Sequence, residues 1–145
     1  MLKLRVVAGC PGVGKSTLCR ADPAAFSDSD SSLFDKAAFP DNYIKHIKSV
    51  LETTNRVVFV STHKVVREAL AANGIPYLLI YPDQTLKSDF MQRYQQRGSP
   101  QPFLDLMNAN FDSFVQECKD CVHDTVTHYC MTDIDKHSVA HALDL

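Results

Sequence analysis

Residues 9 to 16, Gly9-Cys10-Pro11-Gly12-Val13-Gly14-Lys15-Ser16, satisfy the pattern G-x-x-x-x-G-K-[ST] at every fixed position. The run before them, Leu2-Lys3-Leu4-Arg5-Val6-Val7-Ala8, alternates and then becomes continuously apolar, as a strand does on entering a sheet covered on both faces. After them, Ser16-Thr17-Leu18-Cys19-Arg20 starts a helix that Asp22-Pro23 stops. A glycine-rich loop between a strand and a helix is the setting in which this pattern cradles phosphate. Gly9, Gly12 and Gly14 permit backbone angles that turn successive N–H groups inward, and the helix N-terminus adds the positive end of its dipole. Lys15 is expected to reach the β and γ phosphates of a nucleoside triphosphate, Ser16 to complete a Mg²⁺ shell, and Thr17 to donate to the α phosphate. Residues Gly9 to Thr17, with Cys10, Pro11 and Val13 between the glycines, are therefore read as the binding segment for ATP and Mg²⁺. The alternative for the same residues is a glycine-rich turn with a solvated lysine.

Further along, Ala24 to Ser27 reads as a short second strand, and a helix starts at Pro40-Asp41 with Tyr43, Ile44, Ile47, Val50 and Leu51 at helical spacing. Arg56 to Val60 is a third strand, Lys64 to Asn73 a helix stopped by Gly74, and Ile75 to Tyr81 a fourth strand. Gln84 to Arg97 is helical, and a long helix follows Pro102 with Leu104, Met107, Phe111, Phe114 and Cys118 as its apolar stripe. Thr125 to Met131 makes a last strand and Asp135 to Leu143 a closing helix. Alternation of this kind predicts one α/β domain over residues 1–145, with a mostly parallel five-stranded sheet and helices on both faces.

Composition narrows the partners. With 15 basic against 17 acidic residues and a net charge of −2, no overall field holds a polyanion nonspecifically, so any nucleic-acid contact is local. No apolar run approaches a membrane span and no signal-peptide layout leads the chain, so a cytoplasmic protein is expected, in the host cytoplasm if viral, with no membrane contact. Nothing points to an obligate protein partner. Five cysteines are an odd number, which favours reduced thiols over a disulfide scaffold.

Four further groups of residues could carry chemistry. Asp28 and Asp30 stand at the end of the second strand, expected beside the first, and Asp30 is the candidate for orienting an acceptor hydroxyl, taking its proton and supporting Mg²⁺; both aspartates could instead be turn residues or caps. Taking about 100° per residue from Leu86, Phe90 falls near 40°, Tyr94 near 80°, Arg93 near 340° and Arg97 near 20°. The two arginines thus share the inward side, where they would neutralise charge on a triphosphate, or else stay solvated or pair with Asp89 or Asp105. After the third strand stands Ser61-Thr62-His63-Lys64, with no carboxylate, which weighs against an ordinary hydrolase. Thr62 and His63 there, with Arg67 on the next helix, are candidate acceptor-binding residues, Thr62 being equally suited to cap that helix. Cys118, Cys121, His123 and His128 have intervals shorter than common zinc sites and read as buried thiols beside two histidines.

The residues resemble the P-loop kinases that include phage polynucleotide kinase and the nucleoside monophosphate kinases. Gly9 to Thr17 is similar to the polynucleotide kinase phosphate loop, and Arg93-Tyr94-Gln95-Gln96-Arg97-Gly98 resembles its lid arginines. The resemblance implies a single P-loop NTPase domain, ATP as donor, Asp30 as general base, Lys15 as phosphate clamp and Arg93 with Arg97 as lid. The chain departs from the polynucleotide kinases at Ser61, where they carry an aspartate, and at Ser31-Ser32-Leu33, where they carry an arginine that grips the acceptor phosphate. The pattern also looks like small phage-encoded nucleotide kinases, relatives of which phosphorylate hydroxymethylated bases in DNA. A nucleotide or nucleic acid is the implied acceptor, through a hydroxyl or a phosphate; a nucleoside monophosphate kinase, a partner-driven P-loop ATPase and a non-catalytic binding module are the competing readings.

Overall fold

A computed structural model describes residues 4–29, 34–135 and 137–143. Five strands, β1 (Val6–Gly9), β2 (Phe26–Asp28), β3 (Val57–Val60), β4 (Tyr77–Pro82) and β5 (Val126–Met131), form one sheet in the order β2-β3-β1-β4-β5. Every neighbouring pair is parallel, with Ala8 opposite Val60 and Leu79, Asp28 opposite Phe59, and Pro82 opposite Met131. All strands therefore end on one edge, where Gly9, Asp28 and the segment after Val60 emerge together. Successive strand residues face opposite sides. Since Val6, Val7, Ala8 and all of Tyr77–Pro82 are buried, both faces of the central strands are covered.

The expectation that the second strand lies beside the first is corrected: β3 stands between them. The reason is composition. β3, Val57-Val58-Phe59-Val60, is apolar throughout and suits a position flanked on both sides, whereas β2 is three residues long, half-exposed, and ends in an aspartate. Arg5 fixes the β1–β3 pairing from below. Its guanidinium donates to the carbonyls of Leu51 (2.9 Å), Thr54 (2.6 Å) and Arg56 (2.9 Å), which neutralises the negative end of the helix preceding β3.

Six helices connect the strands: α1 (Lys15–Ala21), α2 (Asp41–Thr53), α3 (Lys64–Ala72), α4 (Lys87–Gln96), α5 (Gln101–Lys119) and α6 (Val139–Ala142). α2 buries Tyr43, Ile44 and Ile47, and α4 buries Phe90 and Tyr94, as their spacing predicts. Two boundaries and one buried stripe differ from expectation. Gln84–Leu86 is a 3-10 turn capped by the Asp83 carboxylate, which accepts from the Thr85 amide at 3.1 Å, so α4 starts at Lys87. The closing helix shrinks to four residues because His137 Nδ1 accepts from the amides of Thr132 (3.0 Å) and Asp133 (3.1 Å), holding a turn where a helix was expected. On α5 the buried stripe is Met107, Phe111, Val115 and Cys118, while Phe114 remains 38% exposed. Among the described residues no helix is long and apolar enough to cross a membrane.

Candidate functional site

The glycine loop leaves β1 still tied to the sheet, with the Cys10 amide donating to the Ile80 carbonyl at 3.1 Å. Its next three carbonyls are held from outside. Tyr94 Oη donates to Pro11 O at 2.8 Å, Arg93 Nη1 to Gly12 O at 2.7 Å, and the Val139 amide to Val13 O at 3.2 Å. A trans peptide sets each N–H opposite the preceding carbonyl. The amides of Gly12 and Gly14 thus point opposite to the carbonyls held by Tyr94 and Val139. Gly12 is irreplaceable on two counts. Its φ is +88°, and a Cβ there would lie 3.0 Å from the Tyr94 ring and 3.3 Å from Phe90. Gly14, also left-handed, caps α1, whose first internal bond runs from the Leu18 amide to the Gly14 carbonyl, leaving the amides of the first turn for a ligand.

Over this loop opens a cleft of about 720 Å³. Its walls carry four cations, Lys15, Arg20, Arg93 and Arg97, against one carboxylate, Asp28, so the positive charge that the chain lacks overall is concentrated here. Thr17 also faces the cleft, with Ser138 and Ala140 opposite. The Lys15 stem runs back over the end of β1, where a Cβ on Gly9 would meet its Cδ at 3.1 Å. Burial holds the Lys15 ammonium below its usual pKa, opposed by the Asp28 charge, and among the described residues it has no hydrogen-bonding partner. Lys15 is half-buried, and a partly desolvated cation without a partner suits an anion.

The two arginines line the cleft by different means, and only Arg93 bonds to the loop. Arg93 lies over the Phe90 ring, 5.2 Å from its centroid, and spans Gly12 O and Ile134 O (3.1 Å). Arg97 is exposed and stacks on Tyr94 (5.0 Å) and Phe103 (5.5 Å), donating to Ser99 Oγ at 3.0 Å. Neither pairs with Asp89 or Asp105 among the described residues. Burial raises the pKa of Tyr94, keeping its phenol a donor to the loop.

Asp28 is the last residue of β2, one strand away from β3 and two from β1, and it still lines the cleft because all parallel strands end on the same edge. Ser29 beyond it is buried and held by three bonds: its amide to Phe59 O, its carbonyl from Tyr43 Oη (2.5 Å) and its hydroxyl with His46 Nε2 (3.0 Å). Asp30 and the Ser16 side chain, the expected base and metal ligands, lie outside the described residues. Among those described, no group of three or more His, Cys, Asp or Glu could hold a metal ion.

Thr62, His63 and Arg67 do not face the cleft. They line a second cavity of about 330 Å³ between α3 and α5, and Pro11 is the residue common to both cavities. Arg67 is 4% exposed and already paired, donating to Glu117 Oε1 at 2.7 Å and to Thr62 O at 2.8 Å. The N-cap of α3 is His63 rather than Thr62, and no side chain caps it. Cys10 and Cys118 share this cavity. The Cys118 thiol donates toward the Cys10 sulfur, which lowers the Cys10 pKa against the effect of burial and raises that of Cys118. Cys121 meets Tyr77 Oη at 3.4 Å. His128 is held on both ring nitrogens, Nε2 donating to Cys121 O (2.8 Å) and Nδ1 accepting from Tyr81 Oη (2.9 Å), and all five thiols are free.

Sequence reasoning missed Tyr94 as a loop anchor, Glu117 as the partner of Arg67, and Val139 as a donor to Val13. Tyr94 was legible as an inward residue, yet nothing in its spacing told that its hydroxyl would meet a carbonyl 83 residues away. No protein-family model matches this chain, and a search of curated proteins finds no match to it either.

Proposed function

We propose that this protein is an ATP- and Mg²⁺-dependent kinase of the P-loop type that passes the γ phosphate to a hydroxyl or a phosphate of a nucleotide or nucleic acid. One observation carries the reading: the glycine loop, Lys15, Arg93 and Arg97 line a single cleft in which cations outnumber carboxylates four to one. Such a cleft suits a polyanion held by its phosphates, and transfer of a phosphoryl group rests mainly on positioning and charge. In this reading Lys15 holds the β and γ phosphates, while Arg93 and Arg97 draw off charge as the bond from the γ phosphorus to the β–γ bridging oxygen breaks. The acceptor oxygen bonds to the γ phosphorus; a hydroxyl acceptor passes its proton to a carboxylate, for which Asp30 is proposed and Asp28 stands on the cleft wall, whereas an ionised phosphate oxygen has no proton to lose. Bound Mg²⁺ would neutralise phosphate charge. It takes most of its ligands from phosphates and water, so the one or two oxygens that Asp28, Ser16 or Asp30 would supply fit its needs.

The test is transfer from γ-labelled ATP to a panel of nucleoside monophosphates, 5′-hydroxyl DNA and hydroxymethyl-base DNA. Label on one acceptor class is expected. ATP hydrolysis with no acceptor labelled would leave a P-loop ATPase and sink the kinase reading.

A further inference from the structure

The second cavity has a wall that no phosphate would choose. Taking about 100° per residue along α5, positions 103, 106, 107 and 114 fall within one sector of about 100°. Phe103, Leu106, Met107 and Phe114 line the cavity from that sector. Leu106 is 51% and Phe114 38% exposed, so this face is apolar without being covered by the fold. Opposite it the only buried charge, Arg67, is neutralised by Glu117, and among the described residues no donor reaches the second Glu117 oxygen.

We infer that this cavity receives a single unstacked nucleobase, the base of the acceptor in the kinase reading on which the inference rests. A volume of about 330 Å³ lies at the lower end of small-ligand sites, which run to about 1,000 Å³, and takes one ring system rather than a stacked duplex. A flat ring needs apolar and aromatic contact on its face and hydrogen bonds at its edge. The α5 wall supplies the first. The free Glu117 oxygen supplies the second, as an acceptor for an amino or ring N–H of the base. Lys64 stands at the mouth, 69% exposed, only loosely paired with Glu68 at 3.7 Å, where the phosphate next to the base would pass. Pro11 lines both this cavity and the cleft over the glycine loop, so the two sites adjoin there. The base has two sources, a free nucleotide or a nucleotide turned out of a strand.

Deoxycytidine monophosphate, thymidine monophosphate and a short single-stranded oligodeoxynucleotide, titrated into the full chain with and without a non-hydrolysable ATP analogue, test this. At least one is expected to bind and to shift the Met107 methyl resonance, readily assigned among four methionines. Leu106→Asp and Phe114→Ala, both at exposed positions that folding does not need, should each weaken that binding at least tenfold while the ATP analogue binds within twofold of the parent. Mononucleotide binding assigns the free source, and binding of the oligonucleotide alone assigns the strand. Binding unchanged in both Leu106→Asp and Phe114→Ala, or a Met107 methyl that no probe moves, overturns the inference with the kinase reading intact. Failure of the ATP analogue alone overturns the kinase reading and leaves the base pocket standing.

Discussion

The two cavities on either side of Pro11 are built on opposite principles. The cation-rich cleft draws its loop, its lysine and its α1 amides from one stretch of nine residues, Gly9 to Thr17, and takes Asp28, three arginines and the Ser138–Ala140 side of its wall from elsewhere. The second cavity has no local motif: α3, α5 and the segment after β3 each contribute, and its one buried charge is neutralised within the protein. A site for a charged, fixed shape is encoded in backbone conformation, which local sequence controls. An apolar cavity wall such as that of α5 is encoded in the packing of distant helices.

If that contrast is right, Lys15→Met is the most damaging change to activity and among the least damaging to the fold. Phosphoryl transfer should fall by about 100-fold or more, read from initial rates, with the urea midpoint unchanged or raised. The sign follows from the lowered Lys15 pKa. Between its folded value and its ordinary 10.5 the unfolded chain binds the extra proton, so parental stability rises with pH through that window, and the variant should lack the rise. A lower urea midpoint in Lys15→Met would mean that the ammonium serves the fold.

Gly12→Ala should do the reverse and strike the scaffold. A left-handed alanine costs about 1–3 kcal/mol, and the Tyr94 ring must move as well. Both the urea midpoint and ATP-analogue affinity should drop together; a variant as stable as the parent would show that the loop does not lean on α4.

The arginines divide along the same line. Arg93→Ala abandons two carbonyls, Gly12 O and Ile134 O, for a loss of about 1–3 kcal/mol along with slower transfer. Exposed Arg97→Ala should slow transfer about tenfold with stability within about 0.5 kcal/mol of the parent. Equal losses of stability in the two would erase the distinction between anchor and lid.

The smallest effect is expected at an ion pair that lines neither cavity. Lys119 donates to Asp83 at 2.6 Å, and this bond, with those from Thr85, holds the Asp83 carboxyl well below the usual carboxylate range. A depressed pKa contributes stability that is present above about 4 and is lost as pH falls toward the folded value. Asp83→Asn should therefore narrow the stability difference between neutral and acid pH, seen in melting temperatures, with no change in transfer.

Much of this molecule could be read in advance. The apolar runs at 57–60 and 77–81 gave buried strands, and the spacing of Phe90 and Tyr94 gave the inward side of α4 and brought Arg93 to the loop, whereas Arg97, expected on the same inward side, is exposed on the cleft wall. Phe114 was misread because helical spacing admits either Phe114 or Val115 to the stripe, and the larger ring looks the better core residue. The fold buries the smaller one and turns the phenylalanine to the cavity. Arg67 read as a free cation because its partner stands 50 residues away on another helix.

By itself, then, the sequence determined the loop, the parallel α/β pattern and the faces of the longer helices, since each depends on backbone angles or periodicity within a few residues. Only the tertiary structure decided that β3 separates β2 from β1, that Arg67 meets Glu117, and that Pro11 lines both a cation-rich cleft and a second cavity with an apolar α5 wall. Those outcomes depend on which apolar surfaces bury each other best, a competition among distant segments that no local pattern records.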